Sequence, residues 1–191
     1  MRERIIVTAT GMFVQRGYEG VAMREIAAAC GITKAALYYH FDGKADLLNA
    51  IFNTYLAEIA EVVEASASHG SGEPRLRWLV EHLFALPPQQ RAIMRLAMHE
   101  VGQLRPEQRA AFGADYRARF LGPLQQIIAE GTAIGDFRSK DPGLVVWLLL
   151  GMLYPFFAPP GTGPSAGPDS VADLLDVFFH GLVVGGESDE S

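Results

Sequence analysis

The sequence predicts an all-α chain of about nine helices, and three observations carry that expectation. Apolar residues recur at i, i+3, i+4 and i+7 along most of the 191 residues. No segment alternates with period two for long enough to make a strand. Glycine or proline punctuates the periodic runs at helix-length intervals.

Ile5, Ile6, Ala9, Met12 and Phe13 mark one face of a first helix, closed by Gly17. Met23, Ile26, Ala27 and Cys30 repeat the pattern over a second, shorter helix that ends at Gly31, a position suited to a left-handed backbone. Thr33 can cap a third helix from Lys34 to His40, with Leu37 and Phe41 turned inward four residues apart. Two short helices joined by a tight glycine turn make a helix-turn-helix, whose second helix fits the major groove of DNA. A fourth helix starts near Gly43 and Lys44 and runs through Leu47, Ile51, Tyr55, Ile59 and Val63 to a break at 66–72, long enough to link two domains.

Beyond the break, helices are predicted over 74–86, ending at Pro87 and Pro88, and from 89 to about 103, ending before Pro106. A helix over 107–131 carries a kink at Gly122 and Pro123. Asp141 followed by Pro142 reads as an N-cap with proline at the first helical position, opening an apolar helix over 142–157. A Gly/Pro-rich loop over 158–168 follows, and Ser170 with Asp173 matches a capping box for a last helix ending near Val184. The expected division is a helix-turn-helix domain over 1–45 and a helical ligand-binding and dimerisation domain over 46–191.

Composition sets bounds on this reading. With 49% hydrophobic, 20% charged and 10% aromatic residues, the chain is neither a disordered tail nor a collagen-like repeat. The lone cysteine, Cys30, cannot form an internal disulfide and lies on the inward face with Ile26, as a small core hydrophobe does. The apolar run 144–158 falls short of the ~20 residues that cross a bilayer and contains Gly151 and Pro155, so no membrane partner is expected. Met1 to Arg4 lack the apolar run of a secretion signal, and a cytoplasmic protein is expected. The net charge is −6, unevenly spread: residues 1–50 hold six Lys/Arg against five acids, and the other 141 hold ten against seventeen. A basic balance this faint gives little sign of a polyanion partner by itself, so motifs must carry the case.

Those motifs are Gly17-Tyr18, Arg24-Glu25-Ile26-Ala27, the run from Cys30 to Phe41, and Lys44 with Asp46-Leu47. Together, over about fifty residues, they resemble the N-terminal DNA-binding domain of the TetR family of transcriptional regulators. The remaining 140 residues are similar to that family only in length and helical layout. The resemblance implies a homodimeric repressor whose affinity for operator DNA falls when a small molecule binds the C-terminal domain. It implies that Thr33 caps the recognition helix and touches a phosphate, that Lys34 and Ala35 meet base edges, and that Tyr38, Tyr39 and His40 reach the backbone or nearby bases. Lys44 matches a lysine at the start of the fourth helix, where ammonium and helix N-terminus both favour phosphate.

One departure is visible. The family usually carries threonine or serine at the start of the second helix, whereas this chain has Val21, Ala22 and Met23. Losing a hydroxyl cap costs about 0.5 to 2 kcal/mol of local stability. Arg24 is then the candidate substitute as phosphate partner.

Phe112, Tyr116 and Phe120 form an i, i+4, i+8 stripe, Met94 and Met98 a pair, and Trp78 with His82 another. Such stripes are also what an ordinary core looks like. Together with Tyr55 and Trp147 they supply the aromatic and methionine surface that a deformable apolar cavity requires, and these nine residues are the candidate ligand site. A structural role suits His82 and His99 better than contact with a ligand's polar end. No His/Cys/Asp/Glu spacing suggests a metal, no cofactor is expected, and no nucleophile, base and orienting residue can be grouped into an enzyme site.

The last two helices, with Leu144, Trp147, Leu148 and Met152 on one and Leu174, Leu175, Phe178, Phe179, Leu182 and Val183 on the other, hold more apolar surface than one packing face consumes. A homodimer through these helices is expected. Two recognition helices then lie ~34 to 36 Å apart or slightly more, which predicts a palindromic double-stranded operator. The expected function is a repressor released from that operator by a small hydrophobic effector. The alternative is a ligand-binding or interaction dimer whose DNA-reading surface has degenerated, as the lost cap and the faint basic charge would suggest.

Overall fold

The computed structural model describes residues 1–157 and 167–180, and these contain helices and no strand. Helices α1 (Arg2–Arg16), α2 (Met23–Ala29) and α3 (Lys34–His40) form the N-terminal head. Helix α4 (Lys44–Ala65) leads out of it, and at ~1.5 Å per residue its 22 residues span about 33 Å. The bundle beyond is α5 (Gly72–Ala85), α6 (Pro88–Glu100), α7 (Pro106–Tyr116), α8 (Gly122–Ala133), α9 (Pro142–Leu153) and α10 (Pro168–His180).

The head closes around Ile5, Phe13, Ile26, Leu37 and Phe41, all buried. Gly31 turns the chain from α2 into α3 at φ 61°, in the left-handed region where a Cβ is strained. The Arg4 guanidinium donates to the Cys30 carbonyl and so ties α1 to the end of α2. Cys30 itself is buried. Helix α4 buries residues along its length, from Leu47 and Ile51 through Phe52, Leu56 and Ile59 to Val63, because it packs against α1 on one side and α5, α6 and α7 on others. One continuous apolar core therefore runs through the head and the bundle.

The helix predicted over 107–131 is interrupted by a π turn, Arg117–Leu121, just ahead of the expected kink. The Gly122 N–H reaches back five residues to the Arg117 carbonyl, and Pro123 has no N–H with which to continue the ladder. Asp141 Oδ1 accepts from the Leu144 N–H at 2.7 Å, so the cap of α9 forms as its sequence suggests. Helix α9 gives way at Tyr154–Phe157 to a tighter 3₁₀ turn around Pro155.

The last helix starts earlier than the expected cap at Ser170. Ser170 lies inside α10 rather than at its cap, because the helix begins at Pro168 and the Val171 N–H already donates to the Gly167 carbonyl at 3.1 Å. A proline pre-set in φ nucleates the turn two residues earlier. The surplus apolar surface is also smaller than expected on this helix. Leu174 and Leu175 are buried within the chain, where α10 packs against α5 and α9, and Phe178 and Phe179 are half-buried, Phe179 stacked on Phe137 at 5.9 Å. Exposed apolar surface remains on α9, at Leu144, Trp147 and Leu148. Residues 158–166 of the expected 158–168 loop, Leu182, Val183 and the end near Val184 lie outside the described residues. Among the described residues no helix is long and apolar enough to cross a membrane.

Candidate functional site

The N-terminal head presents α3 outward. Thr33 Oγ1 accepts from the Ala36 N–H at 3.1 Å and starts the helix, while Leu37 and Phe41 hold its inner face in the core. Lys34, Ala35, Tyr38 and Tyr39 are exposed on the other face, Tyr39 to 87%. The Lys34 ammonium lies 5.6 Å from the centre of the Tyr38 ring, and the Tyr39 ring meets that of His40 edge-on at 5.3 Å. An 87% exposed tyrosine buries almost no apolar surface in the free chain, so packing does not account for its presence. Arg24 and Thr33 are exposed on the same head, and His40 is half-buried.

One half of a capping box remains at Ala22 without the hydroxyl. Glu25 Oε2 accepts from the Ala22 N–H at 2.7 Å, the reciprocal half of a capping box, and its Oε1 accepts from Arg16 at 2.8 Å. The Ala22 amide, followed by the Arg16 guanidinium, holds the Glu25 carboxyl below its usual range. Arg16 also donates to the Gly20 carbonyl. The loop between α1 and α2 is thus fixed without a threonine.

Lys44 stands differently from the phosphate contact expected of it. Its ammonium donates to the Tyr18 carbonyl at 2.8 Å and the Val21 carbonyl at 3.1 Å, and lies 4.1 Å above the Tyr18 ring. With the side chain only 21% exposed, this arrangement makes Lys44 a clasp between α4 and the α1–α2 loop rather than a free cation.

Within the bundle, a cavity of about 330 Å³ opens between α4, α6, α7 and α9. Tyr55 comes from α4, Met94 and Met98 from α6, Phe112, Tyr116 and Phe120 from α7 and the π turn, and Trp147 from α9. Seven of the nine predicted ligand residues therefore share one space. Trp78 and His82 do not. Their rings stack on each other at 3.7 Å, Trp78 also stacks on His69 at 4.1 Å, neither lines the cavity, and His82 Nδ1 lies 2.8 Å from the Trp78 carbonyl oxygen. Spacing placed them on one face of α5, and that face turns away. His99 is engaged by the Tyr154 hydroxyl at 2.9 Å. Sequence reasoning missed Phe84, Phe157 and Arg109, all of which line the cavity. Arg109 precedes Phe112 and Tyr116 at i, i+3 and i+7, so extending the aromatic stripe backwards would have found it.

Burial raises the Tyr55 phenol far above its ordinary value, with Tyr116 and Glu58 as further contributors, and pushes Tyr116 up to about 12. Both stay neutral donors at physiological pH. Neither hydroxyl has a hydrogen-bond partner among the described residues. Among the described residues no cluster of His, Cys, Asp or Glu could hold a metal ion.

Two joints connect the walls of this cavity to the head. Glu100 Oε1, at the end of α6, accepts from the Tyr18 N–H at 3.2 Å. Asp46, in the first turn of α4, accepts from Gln108 of α7 at 3.4 Å and faces Arg105 at 4.0 Å.

Comparison with known proteins agrees with both halves of this arrangement. Residues 5–51 match the family described as bacterial regulatory proteins, tetR family, and residues 69–156 match the tetracyclin repressor-like C-terminal domain. The HTH-type transcriptional repressor KstR2 of Rhodococcus jostii is 25% identical over 139 residues, 72% of this chain and 68% of that protein. The TetR family regulator PfmR of Thermus thermophilus superposes with a TM-score of 0.84 at 27% identity, covering 95% of this chain and all of that one. AibR, solved with isovaleryl coenzyme A and operator DNA, superposes with a TM-score of 0.80 at 28% identity, covering 93% and 97% of the two chains.

Proposed function

The chain belongs to the TetR family of transcriptional regulators, and from that premise we propose that it is a homodimeric repressor working in the cytoplasm, released from an inverted-repeat operator by a small apolar effector. The observation that carries this reading is the pairing of an outward α3 with an apolar cavity whose walls hold the head in place. Lys34, Ala35, Tyr38 and Tyr39 enter the major groove, while Thr33, Arg24 and His40 contact the sugar-phosphate backbone. Lys44 acts indirectly, by fixing the α1–α2 loop against the start of α4. In this reading residues 1–45 read DNA and 46–191 bind effector and partner. The dimer forms through α9 and α10, with Leu144, Trp147 and Leu148 at its centre, and sets the two copies of α3 ~34 to 36 Å apart or slightly more.

The effector acts through the two joints. Helix α6 supplies Met94 and Met98 to the cavity and, at its end, Glu100 to Tyr18. Helix α7 supplies Phe112 and Tyr116 and, one to two turns earlier, Gln108 to Asp46. A molecule that fits the cavity better when α6 or α7 is displaced pulls on both joints and re-aims the head. Only its differential affinity for the two arrangements drives the change, typically ~1 to 3 kcal/mol. AibR, with both a ligand and operator DNA in its solved form, supports this two-site reading by likeness.

The test is selection of fragments from genomic DNA by the full-length chain. Enrichment of an inverted repeat supports the repressor. Retention of fragments without sequence preference supports the alternative, a ligand-binding dimer with a degenerate reading face.

A further inference from the structure

We propose that the cavity takes an apolar molecule bearing one anionic head, and that Arg109 receives that head at the cavity's edge. The proposal rests on the effector reading of the cavity. Among the described lining residues Arg109 is the one charged side chain, in a wall otherwise built from aliphatic, methionine and aromatic groups. It makes no ion pair and no hydrogen bond among the described residues. Several other arginines of the bundle are paired. Arg105, one turn earlier at the N-cap of α7, pairs with Glu107 at 2.9 Å and approaches Asp46, while on α5 Arg75 pairs with Glu130 at 3.1 Å and Arg77 with Glu73 at 2.8 Å.

The chain carries 22 acids against 16 Lys/Arg, yet this guanidinium, set in an apolar wall, has no partner among the described residues. An unpaired guanidinium offers five donors in a planar fork that fits a carboxylate or a phosphate. A neutral apolar effector would leave it unused, and a cationic one would be repelled. The cavity, about 330 Å³, falls within the range that holds ligands of ordinary small-molecule size, so the tail has room inside while the head stays near solvent. The Tyr55 and Tyr116 hydroxyls supply further donors for a polar atom carried within the molecule, such as the carbonyl of an acyl group.

Two sources share this chemistry: a free carboxylic acid, and an acyl thioester carried on phosphates. Calorimetric titration of the full-length chain with decanoate, decanol, decylamine and decanoyl coenzyme A, each below its micellar concentration, separates them. Decanoate or decanoyl coenzyme A is expected to bind about tenfold tighter than decanol, and decylamine weakest, since a charge-assisted pair at an exposed guanidinium is partly screened. Arg109→Gln should abolish that preference and leave decanol binding unchanged, whereas Arg119→Gln, a surface change outside the cavity wall, should leave all four unchanged. Preference for decanoate alone assigns the free acid, and preference for the thioester alone assigns the phosphates. Equal binding of decanol, no binding of any probe, or a head preference that survives Arg109→Gln overturns the proposal. Operator affinity followed in the same samples keeps the two readings apart: an Arg109-dependent preference with no change in DNA binding would leave this site standing and reject the effector coupling.

Discussion

The backbone N–H of Tyr18 donates to the carboxylate of Glu100 at 3.2 Å, across 82 positions of sequence. Tyr18 lies between α1 and α2 in the reading head, and Glu100 ends the helix that carries Met94 and Met98 into the cavity. The same Tyr18 offers its carbonyl to Lys44. A shift of α6 therefore reaches the start of α4 through one residue.

Removing that joint loosens the head without unfolding it. Glu100→Ala should speed hydrogen exchange of the Tyr18 amide by about fivefold, the equivalent of one hydrogen bond of ~1 kcal/mol, while the thermal midpoint moves by little. Unchanged exchange at Tyr18 would mean that the contact carries no constraint.

The cap of α2 depends on the ionised form of Glu25. Because its carboxyl titrates below the ordinary value of 4.5, its stabilising effect is present above that value and is lost as pH falls through the lower folded value. Glu25→Gln should flatten this acid limb of the stability profile, and Glu25→Ala should lower the thermal midpoint further by leaving the Ala22 N–H without its acceptor. An acid limb identical in wild type and Glu25→Gln would contradict the assignment.

On α3 the two faces should separate cleanly under mutation. Leu37→Ala removes a fully buried side chain and is expected to destabilise the fold by about 2 to 5 kcal/mol. Tyr39→Ala should leave the thermal midpoint in place and weaken operator binding by ~1 to 3 kcal/mol. Arg24→Ala, at a backbone-contacting position, should reduce the salt dependence of operator binding by about one unit of slope, read from affinities over a salt series.

Close approach of helices fixes the far end of the bundle. A Cβ on Gly131 would run into the Phe137 ring and lie 2.9 Å from the Gly72 Cα, so Gly131→Ala should cost about 1 to 3 kcal/mol in denaturant unfolding. A neutral result would show that Phe137 and the start of α5 move aside freely.

The sequence made helices and shared faces legible because both follow from spacing. Thr33, Leu37 and Phe41 define α3 by position alone, and Phe112, Tyr116 and Phe120 define a stripe that lines the cavity for the same reason. What spacing withholds is the direction in which a face points. Trp78 and His82 obey the rule that Phe112 and Tyr116 obey, yet α5 turns them toward His69 instead of inward. Long-range partners are equally hidden. Lys44 looks like a free cation until the carbonyls of residues 18 and 21 come into reach, and the Ala22 N–H looks unpartnered until Glu25 folds back onto it. Arg109 escaped notice because a charge within an apolar stripe reads as solvent-exposed, and only the cavity beside it changes that meaning.

Helix α3 faces out in order to read a duplex. Fluorescence anisotropy on the inverted repeat that genomic selection yields, with wild type and the Lys34→Ala/Tyr39→Ala pair side by side, measures it most directly. Wild type should bind tightly, and an equally stable double variant should bind the repeat no better than unrelated DNA. Equal affinity of both proteins for the repeat would contradict it.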